Sequence, residues 1–205
     1  MPADKTLWHY GKLYNKIIDP MMKPSRDIIV ALVPQRATVL DIGCGTGKLC
    51  FDLRQQKQCQ VVGIDLSTRM LAFAQMNNPY EDVKFLHQDA TNMEDFEDDS
   101  FDYIVVSHFI HELTRFQQLK ALKEASRIAR NIILLDSHTP LPWNFVGVLK
   151  RFFELVFGYD HYAQFNAYLD SGGIMGLLNE SDLGMKITHR FIFSSDCQQV
   201  AVVSR

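Results

Sequence analysis

The segment Asp41-Ile42-Gly43-Cys44-Gly45-Thr46-Gly47 follows an apolar run and sets a carboxylate ahead of three alternating glycines. Glycines at this spacing let a backbone turn sharply from strand to helix and let a ligand approach the peptide groups closely. The details of spacing narrow the ligand. A triphosphate loop needs glycine at position 42 and Ser or Thr after Gly47-Lys48, but the chain has Ile42 and Leu49. A dinucleotide fingerprint would place its third glycine where Lys48 stands. Asp41, just before the first glycine, would repel a pyrophosphate and suit a cationic group such as an ammonium.

Two further acids close apolar runs. Asp65 ends Val61-Val62-Gly63-Ile64, where a carboxylate accepts hydrogen bonds from both hydroxyls of a ribose. Asp89, followed by Ala90, comes after Val83 to His87 and is placed to receive an adenine amino group. Readers for an ammonium, a ribose and an adenine on successive strand ends describe one ligand, S-adenosylmethionine.

Farther along, His108, His111 and Glu112 follow another apolar run. His111 is the first candidate for a general base or substrate orienter, because an imidazole titrates near neutrality. A histidine that bonds the backbone or caps the next helix would explain it equally well. His108 and His161 are further catalytic candidates, with Tyr10 and Tyr14 behind them. The order His108-Phe109-Ile110-His111-Glu112 fits neither zinc-hydrolase helix signature. A sulfonium methyl needs no covalent enzyme nucleophile; the protein must align the acceptor, exclude water and, where required, remove a proton.

Positioning these groups takes a sheet. From Thr38 onward, short runs rich in Val, Ile and Leu alternate with segments of helical period, the pattern of parallel strands joined by crossover helices. Strands are expected at Thr38 to Ile42, Gln60 to Ile64, Val83 to His87, Phe101 to Ser107 and Asn131 to Asp136. Helices are expected at Lys48 to Lys57, Thr68 to Asn77 and Arg115 to Ala129. Ser67 is placed to cap the second helix, and Thr114 with Gln117 makes a capping box for the third, whose apolar stripe reads Phe116, Leu119, Leu122, Ala125 and Ala129.

Lys186 to Phe193 and Gln198 to Val203 are separated only by Ser194 to Cys197, too few residues for a crossover helix. A hairpin follows, with at least one strand antiparallel to the rest. The expected fold is α/β, a Rossmann-like seven-stranded mixed sheet with an antiparallel C-terminal hairpin. Residues 1–36 and 138–180 supply a helical cover, and residues 1–205 form a single domain. The second cover segment is rich in aromatic residues, suiting a substrate lid, core packing or a homodimer interface.

Composition removes other partners. Lys plus Arg number 21 against 24 Asp plus Glu, a net charge of −3 with no basic run, which argues against nucleic acid and anionic membrane. The four cysteines form no CxxC pair and the first residues carry charges, which fits a cytoplasmic protein with reduced thiols. Phe145 to Phe157, the most apolar stretch, is broken by Lys150, Arg151 and Glu154, so no spanning helix is expected.

At Val39 to Gly47, Val61 to Ser67 and Phe101 to Leu113 the chain resembles the class I S-adenosylmethionine-dependent methyltransferases. The likeness is greatest to the small-molecule branch that includes the ubiquinone and menaquinone C-methyltransferases. The resemblance implies that Asp41, Gly43, Gly45 and Gly47 hold the methionine end. It places Asp65 on the ribose, Leu66 and Met70 on the adenine faces, and Asp89 with Ala90 on the adenine edge. Ser107 and His108 would lie near the amino acid moiety, and Tyr14 would join the cofactor site from the N-terminal cover. Asn15 stands where such relatives often have Asp, and Arg130 leads straight into Asn131 where many have a Pro-Gly-Gly turn. The expected activity is methyl transfer to a small-molecule acceptor at the C-terminal edge of the sheet. The alternatives are a non-catalytic S-adenosylmethionine-binding module acting through a partner and an NAD(P)-dependent oxidoreductase.

Overall fold

The computed structural model describes residues 11–156 and 158–205, the side chains of 11–18 excepted. Tyr10 lies outside the described residues, as does the side chain of Tyr14. Strands β1 (Thr38–Ile42), β2 (Gln60–Asp65), β3 (Lys84–His87), β4 (Phe101–Ser107), β5 (Ala129–Ser137), β6 (Lys186–Phe193) and β7 (Gln198–Ser204) form one seven-stranded sheet in the order β3-β2-β1-β4-β5-β7-β6. β1 pairs in parallel with β2 and β4, and β7 runs antiparallel to both β5 and β6. The hairpin expected at the C-terminal end forms, its turn carried by Ser194, Ser195 and Asp196 at positive φ.

Alternation along the strands divides the core. Val39, Val105, Ile133 and Val202 face one side with α1 (Gly11–Leu32), α2 (Lys48–Lys57) and α3 (Thr68–Met76). Leu40, Ile104, Ile132 and Val203 face the other, under α4 (Arg115–Ile128) and α7 (Gly173–Ser181). Central parallel strands must be apolar on both faces, and each buried aliphatic side chain contributes roughly 1.5–3 kcal/mol.

Both expected caps form: Ser67 Oγ accepts from Met70 N, and Thr114 and Gln117 bond reciprocally. The expected stripe of α4 is buried at Leu122, Ala125 and Ala129 and partly at Leu119, with Gln118, Ala121 and Ile128 beside it; Phe116 is the exception, 71% exposed beneath the Lys120 ammonium. Gln118 tolerates burial because its amide donates to the Leu113 carbonyl and its oxygen accepts from Arg115.

The 138–180 segment supplies α5 (Phe145–Val156), α6 (Tyr159–Asp170) and most of α7, and its aromatic residues divide between two environments. Phe165 and Tyr168 are buried, whereas Trp143, Phe145, Phe152 and Tyr159 face solvent. The chain order reverses between β1 and β4, and this opens a crevice at their C-terminal ends.

Candidate functional site

The glycine loop crosses that crevice. Gly43, Gly45 and Gly47 all have positive φ, at 74°, 52° and 76°, a region costly for other residues. A Cβ on Gly43 would lie 2.6 Å from the Phe109 ring and one on Gly47 2.5 Å from Phe85, whereas one on Gly45 would meet nothing within 4 Å. The outer two glycines thus serve packing, and Gly45 is the one that faces open space.

Asp65 fastens the loop to the next turn. Its Oδ2 accepts from Gly45 N at 2.9 Å and its Oδ1 from Ser67 N at 2.8 Å. Each oxygen keeps a lone pair for a ligand hydroxyl. Burial pushes its carboxyl above the usual range.

Asp41 is only 2% exposed, with the Cys50 thiol donating to its Oδ2 at 3.3 Å. Burial, with the nearby Asp65 charge, pushes it up to about 7. A buried carboxylate beside a cleft, with no cation against it among the described residues, is a matched receptor for an ammonium. The residues present therefore fit S-adenosylmethionine: Asp41 for the ammonium, Asp65 for the ribose, and the open face of Gly45 between them.

Helix α1 completes this end of the cleft with residues that motif reading missed. Thr46 Oγ1 donates to Asp19 Oδ2 at 3.1 Å, and Arg26 reaches both the Asp19 carbonyl at 2.8 Å and Asp52 Oδ2 at 2.9 Å. The one signal available was the placement of Asp19 and Arg26 two turns apart on a single helix face.

Other expected positions divide. Ser107 and His108 line the cleft with Asp41 and the loop. Leu66 is exposed, and Met70 and Ala90 are buried. Asp89 is exposed, and its Oδ1 caps a turn by accepting from Thr91 N at 2.7 Å. His108 takes a positive φ of 51°, and its Nε2 donates to Ser25 Oγ at 3.1 Å, which donates onward to Gln198 Oε1 at 2.9 Å. Burial, with Lys150 nearby, pushes His108 down to about 3, so its ring is neutral at physiological pH.

His111 departs from expectation. It is 4% exposed and does not line the cleft, with Nδ1 2.8 and 2.9 Å from the two oxygens of Asp136. Its Nε2 is 3.7 Å from Glu154 Oε2, which is 2.6 Å from His161 Nε2. The rings of Phe165 and Tyr168 pack against it. Burial opposes its charge, but Asp136 and Glu154 prevail and raise it to about 9. The same contacts outweigh burial at Asp136 and Glu154 and hold both carboxyls below the usual range. A near-neutral imidazole at 111 is therefore corrected to a buried, proton-holding one. Asp136 and Glu154 escaped motif reading because no local pattern marks an acid at the end of β5 or an acid inside the apolar α5.

Comparison with known proteins agrees with this geometry. Residues 39–131 match a family described as methyltransferase domain. The demethylmenaquinone methyltransferase of Bacillus licheniformis is 26% identical over 161 residues, which is 75% of this chain and 68% of that protein. The demethylmenaquinone methyltransferase of Staphylococcus aureus is 32% identical over 124 residues, which is 58% of this chain but only 48% of the relative. A solved SAM-dependent methyltransferase from Aquifex aeolicus superposes with a TM-score of 0.66 at 18% identity, covering 95% of this chain and 98% of that one. The fold is thus that of solved SAM-dependent methyltransferases, and residues 39–131, which carry the glycine loop and both acids of the cleft, match a methyltransferase domain.

Proposed function

We propose that the protein transfers the methyl group of S-adenosylmethionine directly to a small-molecule acceptor held at the C-terminal edge of the sheet. The observation that carries the reading is Asp41 lining the cleft with the open Gly45, whose N–H is held by Asp65. When bound, the cofactor supplies an electrophilic methyl on a sulfonium and leaves as S-adenosylhomocysteine. Asp41 neutralises its ammonium, Asp65 accepts from the ribose, and Leu66, Met70, Asp89 and Ala90 surround the adenine. Ser107 and His108 border the methionine end, and Tyr14 is retained as a candidate there from the sequence.

The neutral ring of His108 faces the cleft without adding positive charge beside a sulfonium, and its bond to Ser25 fixes its orientation. It orients the acceptor. The proton held by His111 favours a positioning role there over a base. The named relatives support an aromatic, quinol-like acceptor as the first class to test. Among the described residues no helix is long and apolar enough to cross a membrane. A cytoplasmic, single-domain enzyme without a nucleic-acid partner, in which residues 138–180 close over the acceptor or pair two copies, completes the reading.

The test is calorimetric titration with S-adenosylmethionine, S-adenosylhomocysteine and, as control, NADH. One-site binding of the first two alone is the expected result, followed by S-adenosylhomocysteine release when reduced naphthoquinones lacking a ring methyl are added. Binding of NADH would favour an oxidoreductase. Cofactor binding without turnover on any acceptor would favour a binding module that acts through a partner.

A further inference from the structure

The cluster around His111 brings together three kinds of element: the short turn after β4 that carries His111, α5 that carries Glu154, and α6 that carries His161. We propose that His111 Nε2, Glu154 Oε2 and His161 Nε2 bind one divalent transition-metal ion, of which zinc is the natural probe, and that Asp136 is the positioning carboxylate behind His111.

Four observations carry this assignment. The donor atoms, one from each of the three residues, all lie within 4.8 Å of one another, and all three residues are buried. Two imidazoles and a carboxylate are a donor set suited to borderline ions, and three protein donors leave a fourth position for water or a ligand oxygen.

The second observation is the support for His111. Both oxygens of Asp136 sit within 2.9 Å of Nδ1, so when a metal ion displaces the Nε2 proton the remaining proton stays on Nδ1 and the freed Nε2 lone pair lies on the side of Glu154. A carboxylate behind a histidine in this way fixes the tautomer and strengthens the imidazole as a ligand.

The third is separation. Donors around a tetrahedral ion with bonds of about 2.0 Å lie roughly 3.3 Å apart. The observed gaps of 3.7 Å, from His111 to Glu154, and 2.6 Å, from His161 to Glu154, straddle that value, so small side-chain shifts would complete the geometry.

The fourth is the orientation of α5. The helix turns Glu154 inward at 8% exposure while Phe145 is 82% exposed on its outer side. Inverting an apolar helix to bury an acid is costly unless that charge is matched. In the metal-free protein the histidines supply that match; a divalent cation would take over the role, balancing Asp136 and Glu154 charge for charge while His111 gives up its Nε2 proton. None of the three donors lines the glycine-loop cleft, and the assignment does not depend on the methyl-transfer reading.

The test uses the whole protein, stripped with a chelator, checked for fold by circular dichroism and titrated with cobalt(II), then zinc. Visible cobalt bands that saturate at one equivalent per chain, and their loss on adding zinc, are expected. Glu154→Gln and His161→Gln should abolish the bands, and Asp136→Asn should weaken cobalt binding about 10- to 100-fold. A folded wild-type protein that binds neither ion overturns the proposal, as do folded variants that bind cobalt like wild type. Where the variants do not fold, X-ray absorption of the zinc-loaded wild-type protein decides. Two imidazoles with oxygen support the site, whereas sulfur ligands from the buried cysteines, or oxygen alone, overturn it.

Discussion

Asp41 and Asp65, on β1 and β2, and Asp136 and Glu154, on β5 and α5, are two pairs of acids whose surroundings oppose each other. At the glycine loop, Asp41 and Asp65 are desolvated and lie close enough to repel, and both carboxyls are pushed up, Asp41 to about 7. At the other pair, Asp136 and Glu154 are as thoroughly enclosed, yet both are pulled down because His111 and His161 stand against them. Burial alone therefore does not set the state of a carboxylate here; the presence of a cationic partner does. One pair has its partner within the chain. The other is left for a ligand to match.

The largest effect expected from this contrast is on stability. His111→Ala strands Asp136 and should cost about 3–5 kcal/mol in urea denaturation, as breaking a buried pair does. Asp41→Asn in the ligand-free protein should be neutral or stabilising. Equal losses for the two variants would break the comparison.

Next comes cofactor affinity. Asp65→Ala removes the acceptor of both turn N–H groups, and Gly45→Val puts a branched side chain into the open face at positive φ. Each should lower S-adenosylmethionine affinity at least about 100-fold, roughly 2.7 kcal/mol, in a protein that still folds. Calorimetry on both variants checks this, and wild-type affinity in either would move the site elsewhere.

A smaller effect sharpens the contrast through pH. Because the folded-state pKa of Asp41 is raised from 3.8 to about 7, the folded protein holds a proton there that the unfolded chain has released. The ligand-free protein should therefore lose stability as pH rises from about 4 through 7 and level off above. Cofactor affinity should rise across the upper part of the same window as the carboxylate forms. Asp41→Asn should remove both dependences, leaving affinity close to wild type at pH 6 and about tenfold weaker at pH 8. The least effect is expected at Phe116, whose exposed ring packs on Lys120: Phe116→Ser should change stability by no more than about 0.5 kcal/mol.

Features encoded over a few residues were readable before any coordinates. β1 and β4 match their expected limits because each is an apolar run with clear stops, β6 because a four-residue turn follows it, and the caps at Ser67 and Thr114 are four-residue patterns. β5 starts earlier than expected, at Ala129, because α4 passes into it without a turn residue. In the stripe of α4 only Phe116 misleads, since it fits the helical period but sits in the first turn and faces solvent. The glycine loop was legible for the same local reason. The cluster of His111, Asp136, Glu154 and His161 was not, since its members come from four separate elements and only the topology joins them. Asp19 and Arg26 reached the cleft unseen because α1 runs through Pro20 and Pro24, residues that ordinarily read as stops.

The bonds that Asp65 receives come from peptide N–H groups at Gly45 and Ser67, not from side chains. A donor built into the main chain survives replacement of whatever residue carries it, proline excepted, while the acceptor has a single source. The tolerance of this turn is therefore one-sided: Cys44, Thr46 and Ser67 are free to drift across generations of the sequence as far as this clamp is concerned, and the acid at 65 is not.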